Sequence, residues 1–203
     1  MIWGDSHLYQ RLKANDGAAF ELVVDQHYQA VFGQLWHFCR DREVAADLTQ
    51  ETFAQAWKSL DSFQGHSSIR TWLYTIAVRA WHRWKQNRAG QLSYEALDEW
   101  AERVPDLSPG PAQVAENRAR RREVQRALCE LPSPYHETMV LFYVQNLKYR
   151  EVSEVLDVSI GTVKSRLHEG VKRLRAALDE CTSPEEKPNQ GDYPCETKTL
   201  NVI

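Results

Sequence analysis

The chain has 203 residues and a formal net charge of −3, and it is long enough for one or two small domains with hydrophobic cores. Its longest apolar run, residues 139–144, is far shorter than the roughly 18 residues of a membrane span. The N-terminal sequence MIWGDSH lacks the basic and apolar regions of a signal peptide. We therefore expect a cytoplasmic protein without a membrane span.

Charge divides the chain into four parts. Residues 1–88 hold 10 basic and 9 acidic groups, and residues 118–178 hold 12 and 7. Residues 89–117 hold 1 and 6, include Pro105, Pro109 and Pro111, and are expected to form a flexible acidic linker. Residues 179–203 hold 2 and 6 and are expected to form a disordered tail. The pattern predicts two small domains, 1–88 and 118–178.

The four cysteines, Cys39, Cys129, Cys181 and Cys195, form no CxxC pair, so neither a disulfide framework nor a zinc finger is indicated. We predict no metal and no cofactor. The sequence also lacks a nucleophile–base pair and a phosphate loop, so an enzyme is not expected. A metal or redox sensor that uses Cys181 and Cys195 stays open as an added function.

Helical periodicity predicts an all-α fold. In the first domain it indicates helices over residues 6–15, about 18–40 with Asp16 as N-cap, and about 43–60. In the third helix, one face should pack inward: Val44, Leu48, Thr52, Ala56 and Leu60. The opposite face groups acidic and amide side chains near large aromatics, which is typical of a docking surface. Its members are Asp47, Gln50, Glu51, Phe53 and Trp57. The alternative is an ordinary solvated helix face.

Residues 62–94 contain no acidic residue. One long helix there should alternate cations with aromatic rings, and Trp72 and Ile76 are expected to point inward. The cations are Arg70, Arg79, Arg83, Lys85 and Arg88, and the rings are Trp72, Tyr74, Trp81 and Trp84. Cations that follow phosphates, beside rings on which unstacked bases can lie, favour single-stranded nucleic acid.

In the second domain a helix over residues 118–131 should end at Pro132, and Ser133–Pro134 should start the next. Residues 149–175 then show two helical periods around a joint at residues 157–159. Asp157 tolerates a left-handed backbone, and Ser159 is a natural N-cap. The predicted buried stripe is Tyr149, Val152, Leu156, Ile160, Val163, Leu167, Val171 and Leu174.

This pattern predicts a helix-turn-helix. Its second helix should present outward a set of cationic and hydroxyl groups suited to phosphates and base edges in a major groove. The set is Thr162, Lys164, Ser165, Arg166, His168, Lys172 and Arg173. A plain helical hairpin with a solvated basic face is the alternative.

Three stretches together carry a resemblance that covers nearly all of residues 6–178. They are ADLTQETFAQAW in the third helix, SIRTWLYTIA after the loop, and LPSPYHETMVLFYVQNLKYREVSEVLDVSIGTVKSRL. In this order they resemble the extracytoplasmic-function (ECF) group of the bacterial sigma-70 family of RNA polymerase sigma factors.

The resemblance implies a two-domain transcription initiation factor. Its first domain would bind the beta-prime clamp helices of core RNA polymerase through Asp47, Gln50, Glu51 and their neighbours Phe53 and Trp57. The same domain would read the minus-ten element as single strand through Phe63, Ser68, Arg70, Trp72, Arg79, Trp81 and Arg83. The helix-turn-helix, residues 149–168, would read the minus-thirty-five element as duplex through Thr162, Lys164, Ser165, Arg166, His168 and the nearby Arg173.

The expected partners are core polymerase, including its beta flap, and promoter DNA, with an anti-sigma factor as a further expectation. The chain departs from the family pattern at Arg79 and Arg83, where Asn and Asp are usual. Lys148 replaces a Ser cap, at a cost of ~1 kcal/mol of helix stability.

A single helix-turn-helix covers only a half-site, and no dimerisation helix is visible, so the free chain is expected to be a monomer. The rival class is an autonomous helix-turn-helix regulator, which would bind duplex DNA without polymerase.

Overall fold

A computed structural model describes residues 5–87 and 123–181, and all regular structure in these two ranges is helical. The predicted linker, most of the tail and the first part of the helix predicted over residues 118–131 lie outside the described residues. The N-terminal half contains α1 (Asp5–Lys13), α2 (Gly17–Cys39), α3 (Arg42–Lys58), a 3-10 turn (Leu60–Ser62) and α4 (Ile69–Asn87). Within the described ranges no helix is long and apolar enough to cross a membrane.

Aspartates begin the two central helices of this half. The Asp16 carboxylate accepts the backbone N–H groups of Ala18 and Ala19 at 3.0 and 3.3 Å, which confirms Asp16 as the N-cap of α2. Arg40 ends α2 in the left-handed conformation (φ 55°). Asp41 directly after it accepts the N–H groups of Glu43 and Val44 and so begins α3. The same two-residue corner therefore stops one helix and starts the next.

The core of the N-terminal half lies where α2, α3 and α4 pack against one another. The predicted inward face of α3 is confirmed, since all five of its members are buried. Two buried threonines on this helix, Thr49 and Thr52, donate their hydroxyls to the carbonyls of Ala45 and Leu48, so they add no unsatisfied polar group to the core.

The C-terminal half contains α5 (residues 123–129), α6 (Ser133–Met139), a π-helical turn (Val140–Val144), α7 (Tyr149–Leu156) and α8 (Ile160–Cys181). Helix α8 crosses α6 closely at Gly170. A Cβ added there would lie 2.7 Å from the Met139 sulfur, so the absence of a side chain sets this approach.

The π-helical turn closes through i→i−5 geometry, with Gln145 N–H donating to the Val140 carbonyl at 2.9 Å. Asn146 follows in the left-handed conformation (φ 52°) and ends the segment. The extra residue of the turn brings the Gln145 side chain toward α4, where its amide oxygen accepts the Tyr74 hydroxyl at 2.6 Å.

The two halves are in contact through α4, which packs against α7 and bonds to α6. The residues of α4 that contact the C-terminal half, among them Tyr74 and Trp81, recur at helical spacing. One face of this helix is therefore covered along most of its length. Sequence periodicity predicted two linked domains but not this packing between them.

Candidate polymerase and nucleic-acid interfaces

The joint between α7 and α8 has the predicted construction. Asp157 is left-handed (φ 52°), and the Ser159 hydroxyl accepts the Thr162 N–H at 3.1 Å, as an N-cap does. The Ser153 hydroxyl donates to the Val158 carbonyl across the turn. These local bonds fix the angle between the two helices, as a helix-turn-helix requires.

The Lys148 side chain does not cap the start of α7, because an ammonium group cannot accept a hydrogen bond from the backbone N–H groups. The Glu151 carboxylate compensates in part by accepting the Lys148 N–H at 2.8 Å. This is one half of a capping box, which reduces the cost expected from the missing Ser.

The buried stripe of the helix-turn-helix is narrower than predicted. Val152, Val163 and Leu167 are buried as expected, but Tyr149 and Ile160 are 42% and 43% exposed, so the prediction was wrong for both. Tyr149 instead stacks on Phe142, with ring centroids 4.8 Å apart. The first residue of each helix lies at the rim of the stripe, where the inward face is not yet covered.

The outward face of α8 presents Lys164, Ser165 and His168 to solvent, whereas Thr162 and Arg166 are half-buried. The Lys164 ammonium lies 5.8 Å from the centre of the Tyr149 ring, a cation–π contact that orients it near the N-terminus of the helix. This is the part of a recognition helix that meets base edges.

Arg173, the last predicted contact of this helix, already has partners. Its Nε donates to Glu169 at 2.8 Å, and its guanidinium lies 4.8 Å from the centre of the Tyr135 ring. A phosphate would have to compete with both.

The candidate docking surface on α3 is exposed at Asp47, Gln50, Glu51 and Trp57, as predicted. Phe53 differs, because it is only 7% exposed and its ring lies parallel to that of Tyr28. It therefore contributes to the core behind the surface rather than to the surface itself. The period of the helix already places residue 53 near the inward Thr52 and Ala56.

The residues predicted to meet the minus-ten element fall into two groups. Ser68, Arg79 and Arg83 are exposed, and Arg70 and Trp72 are half-buried. Phe63 and Trp81 are buried, with 5% and 6% exposure. Phe63 packs on Trp72 at 4.8 Å between ring centroids, so the loop ring supports the helix ring instead of facing solvent.

Arg83 forms an ion pair with Glu51 at 2.7 Å, with both side chains about half exposed. This pair links the α3 surface to the end of α4. Because exposed ion pairs contribute little to stability, either group can release the other at small cost.

Trp81 is covered by the C-terminal half. Its indole Nε1–H donates to Glu137 at 3.1 Å, and His82 Nε2 contacts the other oxygen of that carboxylate at 3.0 Å. Lys85 lies 3.9 Å from the same carboxylate and donates to Ser133 at 2.6 Å. Burial alone raises the pKa of Glu137, but the hydrogen bonds from His82, Ser133 and Trp81 outweigh it and lower the pKa, which keeps the carboxylate ionised.

A second polar cluster lies between the halves and was not found from the sequence. It comprises Gln34 and His37 of α2, Arg40 directly after this helix, and His136 of α6, and all four are buried. Among the described residues, several of their side-chain nitrogens lack a hydrogen-bond partner. Burial, together with the positive charge of Arg40, lowers the pKa of His37 to about 3 and of His136 to about 4. The only sequence signal was the interruption of apolar spacing near the end of α2.

The described side chains do not support a metal site. Among the described residues no three His, Cys, Asp or Glu side chains are arranged to hold an ion. Cys39 and Cys129 are free thiols, and burial raises the pKa of both. The suggested sensor pair is not tested, because Cys195 and the side chain of Cys181 lie outside the described residues.

Two helical domains, one with a helix-turn-helix and one with an exposed acidic face beside a cationic helix, are typical of DNA-binding proteins. Comparison with known families agrees. Sigma-70 region 2 matches residues 23–90, and Sigma-70 region 4 matches residues 121–174.

Curated relatives show the same relationship. The chain is 31% identical to the RNA polymerase sigma factor YlaC of Bacillus subtilis over 82% of its own length and 96% of the relative's. It is 32% identical to the ECF RNA polymerase sigma factor SigE of Mycolicibacterium smegmatis over 81% of its length, and it spans 63% of that relative.

Solved structures share the fold. CnrH, in complex with the cytosolic domain of CnrY, superposes with a TM-score of 0.63 at 24% identity, covering 87% of this chain and 97% of CnrH. RpoE of Bartonella quintana, in complex with the anti-sigma factor NepR, gives 0.59 at 22% identity, covering 79% and 96%.

The chain belongs to the ECF subfamily of the sigma-70 family. It is therefore a sigma factor, a transcription initiation factor that directs RNA polymerase to promoters, and not an enzyme.

Proposed function

We propose that this sigma factor binds core polymerase through α3, reads the minus-ten element as single strand through α4 and its preceding loop, and reads the minus-thirty-five element as duplex through α8. The observation that carries the proposal is the exposed N-terminal half of α8 on a fixed helix-turn-helix joint. Lys164, Ser165 and His168 share one outward face there, so they can reach neighbouring base edges together.

The α3 surface supports the polymerase part of the proposal. Asp47, Gln50 and Glu51 lie exposed beside Trp57, which is 42% exposed and packs on Phe20. A half-exposed aromatic ring rimmed by acidic and amide groups suits a cationic helical partner such as the clamp helices of the beta-prime subunit. Contact with the beta flap would fall to the C-terminal half.

For the minus-ten element, the exposed Arg79 and Arg83 would follow the phosphate backbone, and the half-buried Trp72 would offer its ring for base stacking. Phe63 and Trp81 would act only after rearrangement, since both are buried. We further propose an anti-sigma factor as a partner, because CnrH and RpoE were each solved with a protein bound, and we propose action in the cytoplasm, where RNA polymerase works.

The decisive experiment adds the purified chain to core polymerase, transcribes a genomic DNA library and sequences the transcript starts. We expect new starts that share two sequence elements upstream. No starts beyond those of core alone would contradict the proposal, and tight duplex binding without polymerase would favour an autonomous regulator instead.

Promoter opening tests the minus-ten assignment separately. With Arg79→Ala holoenzyme, permanganate reactivity of unpaired thymines should fall while duplex binding upstream persists. Arg42→Ala, which removes the same side chain at an exposed position in the first turn of α3, is the matched control. Opening equal to wild type would remove Arg79 from the role.

A further inference from the structure

Three donors on one face of α4 converge on a single carboxylate that belongs to the other half of the protein. Trp81 Nε1 lies 3.1 Å from one oxygen of Glu137, His82 Nε2 lies 3.0 Å from the other, and Lys85 Nζ lies 3.9 Å from the first. Donors and acceptor are separated by more than 50 positions in sequence. The Glu137 carboxylate therefore lies in a site formed by side chains of α4.

The donors do not need Glu137 to be arranged in this way. All three stand within five consecutive residues of one helix, and that helix is held by its own packing against α2 and α3. If the halves separate, a cationic, donor-rich surface remains on α4 with no carboxylate in it. Such a surface suits an anion of similar geometry, because charge-assisted hydrogen bonds are stronger than those between neutral groups.

Aromatic rings adjoin this site. Trp81 and Trp84 stack with centroids 5.4 Å apart, and Lys85 lies 5.8 Å from the centre of the Trp81 ring. Separation of the halves would uncover the Trp81 ring together with the donors. A stacking surface beside phosphate ligands is the combination that binds single-stranded DNA.

We propose that Trp81, His82 and Lys85 form a phosphate site for single-stranded DNA, and that Glu137 occupies this site in the compact protein as an internal substitute for the phosphate. This rests on the proposed minus-ten function and adds two ligands, His82 and Lys85, and an intramolecular competitor. Ser133 strengthens the substitute by donating its hydroxyl to Glu137.

The test measures binding of a fluorescein-labelled, mixed-sequence single-stranded oligonucleotide to the free full-length chain. Glu137→Gln keeps the shape of the side chain and removes its charge, so we expect affinity to rise by about tenfold or more, because the competing charged pair is lost. Glu154→Gln makes the same change of net charge at an exposed position of α7 and should leave affinity within about twofold.

Lys85→Ala in the Glu137→Gln background separates a phosphate ligand from a purely structural lysine. We expect the gain in affinity to disappear and the slope of log affinity against log salt to become shallower by about 0.7, the value for one phosphate contact on a single strand. An unchanged slope would contradict the assignment of Lys85.

Circular dichroism verifies folding of each variant. If Glu137→Gln does not fold, Glu137→Asp, which keeps the charge but withdraws it by one methylene, takes its place with the same expected direction. An affinity no higher than that of Glu154→Gln would overturn the proposal. A gain in affinity for inorganic phosphate with none for the oligonucleotide would overturn the assignment to DNA.

Failure of the internal substitute can be distinguished from failure of the proposed function. If wild type directs promoter-specific transcription but Glu137→Gln gains no affinity, only the internal substitute is wrong. If no promoter-specific transcripts appear with core polymerase, the proposed function itself fails.

Discussion

At the scale of single residues, surface exposure separates side chains that can read DNA from those engaged within the protein. On α8, Lys164 is exposed and lies over the face of Tyr149, whereas Arg173 is held by Glu169 and Tyr135. Two cations on one helix therefore differ in what they can offer to a promoter.

We predict that Lys164→Ala holoenzyme relaxes base preference at one or two positions of the minus-thirty-five element, because a good base contact discriminates by ~1 to 3 kcal/mol. Arg173→Ala should weaken binding equally for all sequences, with a shallower salt dependence, since a phosphate contact carries no sequence information. Selection from a randomised element library with each mutant holoenzyme measures both effects.

An altered consensus with Arg173→Ala and an intact one with Lys164→Ala would exchange the two roles. If Arg173→Ala changed neither affinity nor salt slope, its bonds to Glu169 and Tyr135 would be its whole function.

At the scale of elements, caps decide where helices begin. We predict that Ser159→Ala lowers the free energy of unfolding by ~1 kcal/mol, because the first turn of α8 loses the acceptor for the Thr162 N–H. Urea unfolding followed by circular dichroism measures the change.

Ser165→Ala is the matched control. Its hydroxyl donates to the Thr162 carbonyl inside the helix and is exposed, so the change should stay within about 0.5 kcal/mol. Equal losses at the two serines would show that capping does not set the start of α8.

The exposed face of helix α3 can be tested as a polymerase-binding surface by substitution of Asp47. We predict that Asp47→Lys weakens binding to core polymerase by about tenfold or more without unfolding the domain, since the substitution opposes the charge of the partner at an exposed site. Fluorescence titration of the labelled chain with core polymerase gives the affinity.

Asp61→Lys, an exposed carboxylate in the 3-10 turn after α3, makes the same charge change away from that face. Glu51→Lys is less informative, because Glu51 also pairs with Arg83. Unchanged affinity for Asp47→Lys would remove α3 from the interface.

At the scale of the whole molecule, the contact between the halves encloses ionisable groups. His37 and His136 are buried near Arg40, while His136 also faces Glu137 and Lys85. Cys129 of α5 adds a thiol beside Arg40. Because the pKa values of the histidines are about 3 and about 4 here and about 6.5 when exposed, only the opened or unfolded chain takes up their protons near pH 5.

We predict that this contribution to stability is fully present above about pH 7 and is lost as pH falls below about 6.5. At pH 5 the loss should be about 2 kcal/mol for each histidine, or less where the opened state keeps part of the burial. Urea unfolding between about pH 7.5 and pH 5 measures the slope.

His136→Leu should remove about half of this acid dependence, whereas His66→Gln, at an exposed loop position, should keep it. The lowered pKa of Glu137 acts in the same direction at lower pH and remains in both variants. Identical pH profiles for wild type and His136→Leu would show that the cluster does not couple to stability.

The features that depend on near neighbours in the chain were predictable. Asp16 as a cap, the inward face of α3, the left-handed Asp157 and the Ser159 cap all follow from interactions within a few residues, and the structure contains each of them. The motifs of the ECF family lie in these same stretches, so the family and the function could also be predicted from the sequence.

Only the tertiary structure decided which face of α4 is covered and by what. A period of 3.6 residues marks one face of a helix as apolar, but it does not encode that Trp81 meets a carboxylate 56 positions later or that Tyr74 meets Gln145. The sequence by itself determined the helices, their joints and the family. The packing of one half on the other covers Trp81, and packing within the N-terminal half buries Phe53 and Phe63. Burial depends on which surfaces meet in space.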